Sequence, residues 1–213
     1  MTGLNRTGGS RHMVRPAGRG SAGPWRRVRL AGGAVIVMLA VAACDAGGVA
    51  SGAAGTVAPK AVASGRAPAN GRFALLNGRQ TSLRAFTGRP LMVWFVANGC
   101  ASCAASIPTV AQHLSAFAAN KVRVLVLGIY GAFGQGSQAH TQLAEFGRSA
   151  AGHRFNSPVW TWGVASAGLT ATFDPSGTPD EYFLLNRTGR TVYQGATPVS
   201  TIGTLLSHLK EIA

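Results

Sequence analysis

The chain has 213 residues, 46% of them apolar and only 12% charged, with a formal net charge of +14. This length suits one ordinary domain with extra segments, because domains usually run to about 100–200 residues, and the charged share is about half the usual one. The excess of base does not point to nucleic acid: seven of the 20 Lys/Arg precede Ala31, and beyond Cys44 thirteen scattered Lys/Arg face six Asp/Glu. No basic stripe forms, so no nucleic-acid partner is expected.

The first segment reads as an address. "WRRVRLAGGAVIVMLAVAACDAGG" has a basic stretch ending at Arg29, an apolar run of 14 residues from Leu30 to Ala43, and small residues around Cys44. Spanning a bilayer takes about 20 apolar residues, so residues 1–43 are expected to be a signal peptide. Val41-Ala42-Ala43-Cys44 resembles the lipobox of bacterial lipoproteins, which implies lipidation of Cys44 and cleavage just before it. Ordinary secretion with a cleaved signal and an uncleaved anchor are the alternatives. Arg26-Arg27 follows Pro24 and Trp25, a poor setting for a twin-arginine signal, and Met13 is a second candidate start. Every one of these readings places the mature protein outside the cytoplasm, on the outer face of the membrane or secreted, where disulfides persist.

Residues 44–71 are Gly, Ala, Ser and Val with a little Pro and no periodicity, and they read as a flexible linker with a reach of about 28 Å. The domain is expected over 72–213. "RFALLNGRQTSL" predicts a hairpin turning at Asn77-Gly78, and Pro90 to Ala97 is a continuous apolar run, as in a strand buried on both faces. Ile107, Val110, Leu114 and Phe117 then fall at helical steps. Val122 to Tyr130 predicts a second buried strand. A helix is expected over 139–149, a short strand ending near Val164, and a brief helix over 166–173. "DEYFLLN" and "TVYQG" form a hairpin around residues 186–189. A last helix carries Ile202, Leu205, Leu206, Leu209 and Ile212 on one face. This order describes an α/β domain, a mixed central sheet with helices on both faces.

The chemistry is expected at Cys100 and Cys103. They follow a buried strand and open a helix, whose unpaired N–H groups and partial positive charge stabilise a thiolate. Cys100, at the cap, is placed as nucleophile. Cys103, one turn in, is placed to attack the Cys100 sulfur and release a bound partner. With Cys44 lipidated, these two are the only cysteines left.

Residues 72–213 are similar to the thioredoxin-fold domains of the membrane-tethered, TlpA/ResA-like branch. The likeness rests on strand 91–97, Cys100-Ala-Ser-Cys103, Pro108, and "SGTPDEYFLLNRTGRTVYQG" with Thr178-Pro179 lying 75 residues beyond Cys103. It implies a thioredoxin-like fold and protein dithiols or disulfides as substrates. It also implies a cis bond before Pro179 packed on the disulfide, backbone at Thr178 for a bound substrate strand, and a possible membrane electron-transfer partner. No cofactor beyond the Cys100–Cys103 disulfide is implied. This chain departs from the pattern at Gly99, where the family often has Trp, and at Ala101-Ser102, where Pro dipeptides are common. It departs again at Trp94, where thioredoxins carry a buried Asp, so no carboxylate proton acceptor is visible. Neither reduction nor oxidation is selected by these residues.

Other uses of the pair are weighed against this. Zinc wants four ligands, and the nearest histidine, His113, falls off the apolar helix face. A copper chaperone of the Sco type has the same fold but spaces its cysteines by three residues; His140 and His153 would be the distal candidates. A peroxidatic site wants a Thr where Val96 or Ala97 stands. An inert disulfide would close too short a loop to add much stability. Trp160 and Trp162 are expected in the core, with a partner-docking rim as the alternative. Gly131 to His140 lacks a phosphate-binding pattern and reads as a loop near the cysteines. Asn186-Arg187-Thr188 fits a glycosylation sequon but lies in a tight turn.

Overall fold

The computed structural model describes residues 71–213; the signal segment, Cys44 and the linker as far as residue 70 lie outside them. The chain order is β1 (Arg72–Leu75), β2 (Gln80–Ser82), β3 (Leu91–Val96), α1 (Ala101–Gln112), α2 (Leu114–Ala119), β4 (Arg123–Gly128) and α3 (Gly136–Ala151). There follow β5 (Trp160–Ala165), α4 (Ala167–Phe173), β6 (Glu181–Leu185), β7 (Thr191–Ala196) and α5 (Pro198–Ile212). Short 3₁₀ turns sit at Leu83–Phe86 and Gly152–Asn156.

The seven strands form one mixed sheet in the order β2-β1-β5-β4-β3-β6-β7. The central strands β3, β4 and β5 are parallel, and β1, β2, β6 and β7 join antiparallel at the flanks. Parallel neighbours need helical crossovers, which α1 with α2 and then α3 supply. The turn of the first hairpin is made by Gly78 at φ +79°, with Arg79 N–H donating to Asn77 Oδ1.

Side chains alternate across a strand, and β3 shows what that requires of its sequence. Met92, Trp94 and Val96 enter one core with Ile107, Val110, Phe117, Leu143, Leu205 and Leu209 from α1, α2, α3 and α5. Leu91, Val93 and Phe95 enter the other with Phe73, Leu83, Leu169 and Phe173. All six residues of β3 are buried, so a polar side chain has no free face there. This explains the unbroken apolar run in the sequence.

Trp160 and Trp162 both pack into the first core, with ring centroids 5.2 Å apart. The docking-rim alternative is thereby excluded for these rings. The helix expected from Ile107 to Phe117 is two helices that meet at His113, yet all four marker residues are buried as the spacing requires. The helix expected over 139–149 starts at Gly136, so residues 136–140 of the supposed loop belong to α3.

Candidate redox site

Cys100 lies four residues beyond the end of β3, at the sheet's carboxyl end, and is the N-cap of α1. Its Sγ accepts from Cys103 N–H at 3.1 Å, so the sulfur occupies the place of a capping oxygen and meets one of the helix's orphan donors. The first turn of α1 holds no acidic residue to oppose negative charge on that sulfur. Cys103 is fully buried, whereas Cys100 is half-buried. The two are joined as a disulfide with 5.3 Å between their Cα atoms. Only Cys100 therefore presents sulfur surface to a partner, the asymmetry that a nucleophile and a resolving cysteine need.

Gly99, which precedes the pair, has φ +73°, and a Cβ there would meet nothing within 4 Å. The position disfavours side chains by backbone conformation rather than by space, since the left-handed region costs other L-residues about 1–2 kcal/mol.

The Thr178–Pro179 step lies between α4 and β6 and is held by a buried carboxylate. Asp174 Oδ1 accepts from Thr178 N–H at 2.7 Å, and Gly177 N–H donates to the Asp174 carbonyl at 3.1 Å. Thr178 is exposed and Pro179 half-buried. The expected cis bond before Pro179 is not present: every peptide bond among the described residues is trans. The chain instead reverses at Asp180, which adopts φ +73° and ties itself to β3 through its N–H donating to Phe95 O at 2.8 Å. With the turn made there, the X–Pro bond keeps the isomer favoured by about 0.5–1 kcal/mol.

Asp180 is also the residue that the sequence reading missed. It is buried, and its carboxyl gathers two donors: Trp94 Nε1–H to Oδ1 at 3.0 Å and the Ser106 hydroxyl to Oδ2 at 3.0 Å. Ser106 is fully buried one turn beyond Cys103 and accepts from Val199 N–H at 3.1 Å, which links α1 to the start of α5. Burial raises the Asp180 carboxyl above its ordinary value of 3.8, and the hydrogen bonds from Ser102, Trp94 and Ser106 only partly offset this. Asp174 is raised as well, again by burial first, against hydrogen bonds from Thr178, Ser176 and Gly177. The signal for Asp180 was present in "TPDEYF" and in Trp94: a charged residue just before a buried strand, and a buried indole whose N–H needs an acceptor.

Of the histidines weighed as metal ligands, none is the residue capping or opening the first turn of α1. His113 sits between α1 and α2, His140 in α3, and His153 is exposed. No group of three or more His, Cys, Asp or Glu side chains among the described residues is placed to hold a metal ion. No helix among them is long and apolar enough to cross a membrane.

No protein-family model and no curated protein sequence matches the chain. Solved structures do match, at low identity. A candidate protein disulfide isomerase from Bacteroides thetaiotaomicron superposes with a TM-score of 0.54 at 16% identity, over 70% of this chain and 88% of that one. BsSco, of the Sco family of cytochrome c oxidase assembly proteins, gives 0.51 at 15% identity, over 73% and 99%. The thioredoxin domain of a thiol-disulfide oxidoreductase from Bacteroides vulgatus gives 0.50 at 17% identity, over 67% and 96%. These likenesses establish the architecture: the described domain has a thioredoxin-like fold, with its cysteine pair joined at the N-terminus of α1.

Proposed function

We propose that the protein is an extracytoplasmic thiol-disulfide oxidoreductase that exchanges disulfides with protein substrates through Cys100 and Cys103. The observation that carries this reading is the asymmetry of the pair. A half-buried sulfur caps a helix, and its fully buried partner stands one turn behind it. In the dithiol form the Cys100 thiolate attacks a substrate disulfide, one substrate sulfur leaves as a thiolate, and Cys103 then displaces the other from Cys100. Run backwards, the same steps oxidise a substrate dithiol, so the direction is set by whichever partner restores the pair. A reductive role would need a membrane electron donor.

The exposed Thr178 and the adjoining Pro179 supply the surface for a substrate strand, held in place by Asp174. Lipidation at Cys44 would keep the domain at the outer membrane face. The copper-chaperone reading shares with this one only the fold that the likeness to BsSco shows, and the wider cysteine spacing of the Sco type is not that of Cys100 and Cys103.

Trapping tests the proposal. Cys103→Ser should accumulate a mixed disulfide between Cys100 and insulin chains, visible as a thiol-reversible mass increase, while Cys100→Ser should form none. Equal trapping by both variants, or by neither, would contradict the roles. Loss of incorporated palmitate in Cys44→Ala is the expected result for the anchor, and label that persists would contradict it.

A further inference from the structure

The second core reaches Leu91 and Leu125 and then gives way to polar groups on the same face of the sheet. Residues two apart in a strand share a face, so Arg123 lies on the face of Leu125, and Thr161 of β5 pairs with Leu125. Both line a cleft of about 430 Å³ together with Arg79 and Thr81 of the first hairpin and with Thr87 and Arg89, which lead into β3. Leu75 and Phe86 add apolar wall, and among the described residues no Asp or Glu lines the cleft. The cleft sits at the amino ends of the parallel strands, whereas Cys100 lies beyond the carboxyl end of β3. A strand of six residues separates the two ends by about 20 Å, so this is not the redox site.

One donor in the cleft lacks an acceptor. Arg123 Nε is buried and has no hydrogen-bond partner among the described residues, while Arg123 Nη2 donates to Thr161 Oγ1 at a long 3.5 Å. A guanidinium stays charged and carries five N–H donors in a planar fork that suits two oxygens of one anion. Leaving such a donor buried and unmet is costly. We propose that the cleft binds a phosphate group, carried by an organic phosphate whose carbon part rests on Leu75 and Phe86. A phosphomonoester brings nearly two negative charges and three acceptor oxygens at neutral pH, which matches three guanidiniums better than one carboxylate does. The Thr87 hydroxyl is already donated to the Arg84 carbonyl. Thr161 only accepts from Arg123, so its own proton is left for the ligand.

The backbone under these side chains is fixed. Arg123 N–H donates to Pro90 O at 3.1 Å, and Leu75 N–H donates to Arg79 O at 2.9 Å. Arg123 is half-buried, and the exposed Arg79 and Arg89 are long enough to close over a ligand. No carboxylate of the chain competes for them inside the cleft: Glu145 is in α3, Glu211 is in α5, and Asp174, Asp180 and Glu181 lie around the Thr178–Pro179 step. A soluble phosphomonoester and a phospholipid headgroup offer the same group next to the same kind of carbon chain. In the second case the amino ends of the strands face the membrane and Cys100 faces away from it. This inference stands apart from the disulfide-exchange reading, and either can fail without the other.

The test uses the full chain carrying Cys44→Ser and two probes at constant ionic strength. Glycerol phosphate is followed by calorimetry, and vesicles of phosphatidylcholine with phosphatidylglycerol are followed by co-sedimentation. Arg123→Gln and Arg89→Gln should each weaken glycerol phosphate binding about tenfold. Lys210→Gln removes the same charge from an exposed position outside the cleft and should leave binding unchanged. Arg89 is exposed, so its variant decides the matter even if Arg123→Gln fails to fold. The basic residues before Ala31 are common to every variant, so they cancel in the vesicle comparison. Vesicle binding that weakens in the two arginine variants but not in Lys210→Gln would support the site and assign the phosphate to a lipid headgroup. Vesicle binding alike in every variant, with glycerol phosphate binding weakened only in the arginine variants, would support it and assign a soluble phosphate. A parent that binds neither probe, or arginine variants that match Lys210→Gln with both, would overturn the proposal.

Discussion

Two buried carboxylates, Asp174 and Asp180, flank the Thr178–Pro179 step, and each is held above 3.8 by burial. A carboxyl raised in the folded state binds its proton more tightly there than in the unfolded chain. Its contribution is therefore greatest at low pH and is lost as pH rises through the raised value. This is opposite in sign to a salt-bridged aspartate. In the disulfide form, the stability of Asp180→Asn relative to the parent should rise in urea titrations as pH climbs above the ordinary carboxyl value of 3.8 and the parent's raised carboxyl ionises. A pH-independent difference would show that burial does not govern this group. Gly99 permits a second residue-scale prediction. Its φ of +73° with open space around the missing Cβ means that Gly99→Ala should cost about 1–2 kcal/mol of stability without a steric clash. An unchanged denaturation midpoint would contradict that account.

At the scale of elements, the first core depends on α5. Leu205 and Leu209 are fully buried there among residues of α1, α3 and β3. Truncating Leu209 to Ala should lower stability by about 2–5 kcal/mol, the usual range for a buried leucine; a loss below 1 kcal/mol would mean that α5 is loosely docked. Most elements were legible in the sequence because burial imposes periodicity. The apolar run 91–96 has no exposed face, and Leu205, Leu209 and Ile212 fall at helical steps. The break at His113 was not legible, because Leu114 and Phe117 continue the spacing of Ile107 and Val110 across it. The trans bond before Pro179 was hidden for a different reason. Whether the turn is made at the proline or at Asp180 depends on the bonds of Asp180 to Phe95 and of Thr178 to Asp174, contacts that local sequence does not reveal.

Across the whole molecule, the strand–CxxC–helix pattern and the later Thr-Pro step were enough to place the cysteines at the carboxyl end of a mixed sheet. They were not enough to find Asp180, which reaches Trp94 across 86 residues of chain. The polar part of the site is assembled from β3, α1 and the start of β6, and a reading that proceeds element by element misses such convergence. The central claim concerns the pair itself. Its most direct test is the redox equilibrium of the full chain, with Cys44→Ser so that only Cys100 and Cys103 remain, against glutathione buffers and read by the mass added on thiol alkylation. A reversible two-electron transition with a midpoint between about −270 and −120 mV is the predicted result. A pair that shows no exchange across the whole buffer range would contradict it.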